Sequence, residues 1–174
     1  MLRFALAIAL SVPLLAPHEA QAVEQEWHLG GAANYGLLTF ARAPSRNGFG
    51  GQLLARYGLN DALDLSLSAA AMSFLEDGRL VFSGAAGVTY VVDVLRWIPT
   101  VGAHIGVVDI LTTRCETLPE LCYHDIRPTV GVPISLEYRV LPELPVGARF
   151  EPTLLLFGEP SWLLTTSLYG AVAF

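Results

Sequence analysis

The histidines are the first residues of this chain to consider for catalysis. His28 and His104 fall on the inward faces of stretches whose alternation predicts strands. A histidine activates a nucleophile only when that nucleophile lies within hydrogen-bond reach. The sequence places no serine or cysteine beside either histidine, so both are predicted to be hydrogen-bonded interior residues without a catalytic role.

The two cysteines, Cys115 and Cys122, lie in one turn-like stretch with six residues between them. A redox pair more typically has two intervening residues, and two thiolates lack the companion ligands of a zinc site. In an exported protein they are predicted to form a disulfide that stabilises its loop modestly. No metal and no cofactor is predicted.

The first 22 residues predict export. Arg3 provides a positive start, Phe4 to Ala16 an apolar stretch, and Ala20-Gln21-Ala22 a small-x-small cleavage site. The apolar stretch is shorter than the about 20 residues that a membrane-spanning helix needs, and Pro13 interrupts it. Residues 1–22 are therefore predicted to be a cleaved signal peptide of the Sec pathway, and residues 23–174 one domain.

The hydrophobicity of the remaining chain is spread in short pieces. The composition is 53% hydrophobic and 15% charged, yet no other segment of about 18 uncharged apolar residues occurs. An α-helical membrane protein would concentrate its apolar residues, and a soluble domain would carry more charge. The ten basic residues are all arginines, against a net charge of −6, and the absence of lysine argues against a nucleic-acid partner.

Alternation between turn signals predicts eight strands. They are Gln25 to Tyr35, Gly48 to Tyr57, Ala62 to Leu75, Arg79 to Val92, Trp97 to Ile110, Ile126 to Val140, Val146 to Phe157 and Leu163 to Phe174. An even number places both termini on one side, where the connections are short, whereas the connections Gly36 to Asn47 and Leu111 to Asp125 are longer. This asymmetry is typical of transmembrane β-barrels. We predict an all-β, eight-stranded, antiparallel up-and-down transmembrane barrel.

The charged residues fall on one face of the predicted strands. In Ile126 to Val140, for example, Arg127, Glu137 and Arg139 alternate with apolar residues. A charge that faces lipid at mid-depth costs about 2–4 kcal/mol, so the charged face is predicted to line the lumen.

Aromatic residues fall near the strand ends on the side of the termini, as expected of a membrane interface. They are Trp27, Tyr57, Tyr90, Trp97, Tyr138 and Phe174.

The inward charges are nearly balanced, which predicts ion pairs rather than an open pore. Symmetric hairpin registers about Glu143 and Asn60 would pair Glu137 with Arg149, and Arg56 with Asp64. The predicted lumen ion-pair network consists of Arg56, Asp64, Arg127, Glu137, Arg139, Arg149 and Glu151. Because side chains just fill an eight-stranded barrel, this network is expected to plug the lumen.

Two features disturb the regular pattern. Prolines remove a ladder hydrogen bond, and four of them lie inside predicted strands. These are Pro99, Pro128, Pro133 and Pro152. They predict bulges near the rims, shifted strand boundaries or an open sheet. The run Leu154-Leu155-Leu156-Phe157 is hydrophobic on both faces.

The last predicted strand resembles the C-terminal assembly signal of bacterial outer-membrane β-barrels. Leu168, Gly170, Val172 and Phe174 alternate on one face and end on an aromatic residue. The segment Arg56 to Leu67 also resembles a strand-turn-strand unit of small outer-membrane barrels of the OmpA, OmpX and OmpW kind. This resemblance implies a monomer in the outer membrane, in contact with its lipids, that the barrel-assembly machinery recognises during biogenesis.

Some small outer-membrane barrels are lipid A-modifying enzymes. The deacylase type has a His-x-Ser pair, which this sequence lacks. The palmitoyltransferase type gathers a histidine, an aspartate and a serine near the outer rim, where the resemblance would place His124, Asp125 and Ser45. A solvated loop histidine is the interpretation favoured here.

We therefore predict a non-enzymatic outer-membrane barrel with a plugged lumen. Its role would be structural, or surface recognition through the outer loops, chiefly the Cys115 to Cys122 loop, whose partner the sequence does not identify. Two alternatives remain: a lipid A-modifying enzyme, and a soluble periplasmic lipocalin-like carrier of an apolar ligand. The carrier would place its apolar strand faces inward and its arginines outward. The residues concerned are Leu63, Leu65, Leu67, Val130 and Val132.

Overall fold

The computed structural model describes residues 26–41, 44–75, 78–92, 96–112, 124–141 and 143–174. Within these ranges the chain forms nine antiparallel strands. They are β1 (Trp27–Phe40), β2 (Arg46–Asn60), β3 (Leu63–Phe74), β4 (Arg79–Val91), β5 (Trp97–Thr112), β6 (His124–Gly131), β7 (Ile134–Leu141), β8 (Leu144–Leu155) and β9 (Ser161–Ala173). No helix in the same ranges is long and apolar enough to cross a membrane.

The strands form one closed sheet, because β1 pairs with β9 as well as with β2. At the seam, the backbone N–H groups of Trp27 and Phe174 each donate to the carbonyl oxygen of the other, at 2.9 Å. Following aligned pairs from Tyr35 in the two directions around the barrel reaches Leu80 and Tyr90, ten residues apart on β4. Such a stagger corresponds to a strand tilt of about 40°. The predicted barrel is confirmed.

β6 and β7 together occupy one strand position between β5 and β8. On the β5 side the pairs His104↔Gly131 and Val101↔Ile134 keep one register. The pairs with β8 also keep one register across the gap. The gap is Val132-Pro133, and it arises because proline has no N–H for the ladder. The predicted sixth strand is therefore continuous in register although its hydrogen bonding is interrupted, and the barrel has eight strand positions.

The four strand prolines keep their carbonyl hydrogen bonds. The backbone N–H groups of Val92, Leu156, Gly102 and Val132 donate to Pro99, Pro128, Pro133 and Pro152 respectively, at 2.8–3.1 Å. The register shifts in the described strands lie elsewhere, at Gly58/Asn60 and at Arg139/Leu141. Bulges at the prolines and an open sheet are thus wrong explanations. Each proline is accommodated by the loss of the one bond that its own nitrogen would donate.

The apolar face of the strands points outward. Leu67 is 57% exposed, and Leu65, Val130 and Val132 also lie on the outer surface. The arginine side chain of Arg56 points inward and is 12% exposed. This orientation suits a lipid solvent, and it makes the carrier alternative wrong, since that alternative required the reverse arrangement.

Aromatic residues mark two levels on the outer surface. At the barrel end where β1 begins and β9 ends, the rings of Trp27 and Tyr57 lie tilted with centroids 4.9 Å apart, and those of Trp97 and Tyr138 lie 4.8 Å apart. Eight residues further along their strands, Tyr35, Phe49 and Phe82 also face outward. Eight residues of strand measure about 26 Å, which the tilt reduces to about 20 Å in height. This is close to the apolar band of an outer-membrane barrel.

Candidate functional site: the barrel lumen

The lumen near the termini is crossed by an ion pair between Arg56 on β2 and Glu137 on β7. Nη2 of Arg56 donates to Oε2 of Glu137 at 2.8 Å, and Nη1 donates to Oε1. The Glu137 side chain is 4% exposed. β2 and β7 are four strand positions apart in either direction, on opposite sides of the barrel. The bidentate ion pair between guanidinium and carboxylate therefore links opposite walls of the barrel.

The predicted hairpin pairs are wrong in register. Arg56 aligns with Ser66, and Arg149 aligns with Ser135, each two residues from the predicted partner. The turns are not centred where the prediction placed them, since Asn60 aligns with Leu63 and Leu141 aligns with Leu144, and a register shift of one residue follows beside each turn. Asp64 nevertheless lies diagonally near Arg56, with Oδ2 3.9 Å from Nη1.

The other predicted network residues form separate groups along the lumen. Arg149 and Glu151 are two residues apart on β8, so they share a face, and Nε of Arg149 donates to Oε2 of Glu151 at 2.7 Å. Nearer the outer rim, Nη2 of Arg127 lies 2.6 Å from Oδ2 of Asp125. Arg139 lies on β7 near the termini. The structure thus spreads the seven residues along the lumen and brings Arg56, Asp64 and Glu137 together.

An apolar layer fills the lumen toward the outer rim, and sequence reasoning missed it. It consists of Leu38, Met72, Phe74, Val81, Val108, Ile110, Leu155 and Leu163, with Phe40 packed against it. These residues come from six strands, and Phe74 is fully buried. We call this cluster the apolar layer. The signal for it was the run Leu154-Leu155-Leu156-Phe157, where apolar residues occupy both faces of a strand.

Two inward glycines make room for the apolar layer. A Cβ at Gly48 would come 2.9 Å from the ring of Phe74, and a Cβ at Gly36 would come 2.8 Å from Sδ of Met72. The aromatic ring therefore lies over wall positions that have no side chain. Because protein interiors are close-packed, a larger residue at either glycine would displace the layer.

Between the ion pair and the apolar layer lies a polar section with a small cavity. The cavity measures about 20 Å³, and its lining includes Asn34, Gln52, His104, Glu151 and Met72. A smaller cavity of about 10 Å³ lies beside Arg56 and Glu137. Each volume is about that of one or two water-probe spheres.

The remaining candidate residues do not form a catalytic group. His124 is exposed on the outer surface, with Nδ1 3.4 Å from Oδ2 of Asp109, whereas Asp125 lies with Arg127 in the lumen. Adjacent strand residues point to opposite faces, so Asp125 is not a partner of His124. His28 lies 3.9 Å from Glu26, and Ser45 is exposed. Cys115 and Cys122 lie outside the described residues.

The residues of the predicted assembly signal share the outer face of β9. Leu168, Val172 and the following Phe174 are exposed there, and Gly170 lies between them. Their side chains are therefore placed where lipid would contact them.

A closed antiparallel barrel with an apolar outer band, an aromatic girdle and a lumen that holds its charges is a β-barrel of the outer-membrane class. No protein-family model and no curated protein matches the sequence. Among solved structures, the chain is similar to Neisserial surface protein A, at 16% identity and a TM-score of 0.75, with 87% of this chain and 100% of that chain covered. It is also similar to the attachment invasion locus protein Ail of Yersinia pestis, at 14% identity, TM-score 0.60, and 87% and 99% coverage.

A third similar structure is the N-terminal β-barrel domain of OprF from Pseudomonas aeruginosa, at 13% identity, TM-score 0.62, and 88% and 100% coverage. The chain therefore has the fold of the small eight-stranded barrels of the bacterial outer membrane, and its outer surface fits that location.

Proposed function

We propose that this protein is a non-enzymatic outer-membrane barrel whose lumen is plugged by its own side chains. Its role is structural, or surface recognition through the outer loops. The observation that carries the proposal is the filling of the lumen: the apolar layer is buried, and the cavities below it measure about 20 and 10 Å³. Neither is wide enough for a hydrated solute.

The surface role is supported by similar structures, since one is called a surface protein and another an attachment invasion locus protein. Both of these proteins have the same barrel architecture as this chain. In this chain the longest connection between described strands runs from Thr112 to His124, and it contains Cys115 and Cys122. We propose this loop, closed by a disulfide, as the main recognition element.

Planar-bilayer recording tests the plug. The refolded full chain is expected to give no stable conductance steps under conditions in which a general porin conducts. Large, stable steps would contradict the plug.

Mass spectrometry of lipid A tests the absence of enzymatic activity: cells that express the protein should show the same acyl-chain pattern as cells that do not, and a new acylation pattern would contradict the proposal.

The assembly signal is a separate part of the proposal. Substitution Phe174→Ala keeps the backbone bonds to Trp27 but removes the terminal aromatic side chain. We expect reduced outer-membrane assembly in cells and nearly unchanged refolding in detergent. The control is Phe150→Ala, which removes an outward phenylalanine from β8. Equal assembly of the two variants would contradict recognition of Phe174.

A further inference from the structure

The lumen contains buried polar atoms that have no hydrogen-bond partner in the part of the chain that the structure describes. Nδ2 and Oδ1 of Asn34, Oε1 of Gln52 and Nδ1 of His104 are buried and have no hydrogen-bond partner among the described residues. The three residues are 4%, 7% and 6% exposed. They line the cavity of about 20 Å³. Buried polar groups are almost always hydrogen-bonded, to ordered water where the protein offers nothing.

We propose that ordered water occupies this mid-lumen cavity, and that the apolar layer around Phe74, not the charged residues, is the barrier between that water and the outside. The proposal rests on the plugged lumen proposed above and identifies which part of the lumen forms the plug. We call the cavity, with Asn34, Gln52 and His104, the water chamber.

The apolar layer forms the outer wall of the water chamber. Met72, Val108 and Leu163 belong to the layer and also line the cavity. A complete apolar constriction excludes water because no side chain replaces the hydrogen bonds that water would lose. The layer supplies such a surface from six of the eight strand positions, and its eight buried side chains carry no oxygen or nitrogen atom.

The section nearer the termini has a different character. The Arg56–Glu137 pair crosses the lumen there, but the neighbouring cavity is lined by charged and hydroxyl groups, including Arg149, Ser135 and Tyr169. Charged groups of this kind hold water readily. In this section, water therefore lies between the polar side chains, and the section does not seal the lumen.

Phe74 is the residue on which the apolar barrier depends. Its ring lies against Gly36 and Gly48. Because these wall positions have no side chain, nothing there can fill the space that the ring occupies. Substitution Phe74→Ala should leave a gap that joins the water chamber to the outer rim. The matched control is Phe82→Ala, which removes an outward phenylalanine from the neighbouring strand.

Single-channel recording of the refolded full chain compares four proteins. We expect stable conductance steps for Phe74→Ala, at least tenfold above the detection limit below which the wild type and Phe82→Ala should both remain. The double variant Arg56→Gln, Glu137→Gln should stay at the wild-type level. If Phe74→Ala does not refold, as judged by heat-modifiable gel mobility, Met72→Ser tests the same barrier.

The outcomes separate the two proposals. If the wild type conducts, the plugged lumen fails, and the present inference fails with it. A closed wild type with a closed Phe74→Ala variant contradicts only the apolar barrier. Conductance that appears in the double variant, but not in Phe74→Ala, would assign the barrier to the ion pair.

Discussion

Arg56 and Glu137 show how two charges are held inside a narrow barrel. Each group is largely removed from water, and the two hydrogen bonds between them replace part of the lost hydration. Asp64 adds a second negative charge near the guanidinium. At the scale of single residues, the ion pair links opposite walls of the barrel, and the energetic effects of its two residues depend on each other.

The Arg56–Glu137 ion pair predicts a specific pattern of energetic coupling. Glu137→Gln should lower the free energy of unfolding by about 3–5 kcal/mol, because it leaves a buried guanidinium without its carboxylate. A double-mutant cycle of Arg56→Gln with Glu137→Gln should show a coupling energy of about 1–3 kcal/mol. Urea unfolding of the barrel in lipid vesicles measures both quantities.

The control cycle combines Arg149→Gln with Glu137→Gln. Arg149 bonds to Glu151 instead and shares only a small cavity with Glu137, so its coupling with Glu137 should be smaller than that of Arg56. A larger coupling in this cycle than in the Arg56 cycle would support the hairpin pairing that the sequence predicted, and would contradict the cross-lumen pair.

Gly48 and Gly51 give a second prediction at this scale. A Cβ at Gly48 would meet the Phe74 ring at 2.9 Å, whereas at Gly51 the nearest atom is the carbonyl oxygen of Ala32 at 3.6 Å. Gly48→Ala should therefore destabilise the barrel by about 1–3 kcal/mol through overpacking. Gly51→Ala on the outer face should change stability by less than about 0.5 kcal/mol. Equal effects in unfolding experiments would show that the apolar layer does not pack tightly against β2.

At the scale of strands, the interruption between β6 and β7 has a chemical cause. Gly102 donates to the carbonyl of Pro133 at 2.8 Å, and antiparallel partners of this kind normally exchange two hydrogen bonds. The second bond is missing because proline has no N–H. Since the register is the same on both sides, the gap is local and the strand continues through it.

Substitution Pro133→Ala should restore the missing bond. The new N–H at position 133 would point at the carbonyl of Gly102, so its exchange with deuterium should be slow. The gain of about 0.5–1.5 kcal/mol from the bond is offset by lost ring packing and a more flexible unfolded chain, so the net stability change should be under about 1 kcal/mol. The control is Pro160→Ala in an exposed outer turn, where the new amide should exchange rapidly. Rapid exchange at both positions would contradict a continuous register.

The strands also show what the sequence could predict. Their number, order and two faces follow from alternation, which is a local property. The pairing of Arg56 was not predictable, since it depends on where each turn is centred and on the stagger that brings residues of β2 and β7 to one height. The apolar layer was missed for another reason. Leu155 faces the lumen between Leu154 and Leu156, and a leucine gives the same sequence signal whether it contacts lipid or another leucine.

At the scale of the whole molecule, two apolar environments lie on either side of one wall. The outer surface carries leucine, valine and aromatic side chains across the band between the girdles, and the lumen carries an apolar layer near the outer rim. Charged residues lie mainly in the lumen or near the strand ends. This distribution is stable in a bilayer and unfavourable in water, because the exposed apolar area has no other partner.

The outer surface therefore predicts a dependence on depth for a new charge. Leu53 lies on β2, four residues from the girdle residue Tyr57 and four from Phe49, and is 71% exposed. Leu59 lies beyond Tyr57 at the rim of the same strand, and is 46% exposed. Leu53→Arg should cost about 2–4 kcal/mol in lipid vesicles, and Leu59→Arg about 0–1 kcal/mol. Because both side chains point outward, neither variant should disturb the lumen, so a difference in unfolding free energy would report lipid depth alone. Equal and small costs for the two variants would mean that lipid does not surround β2 at mid-height.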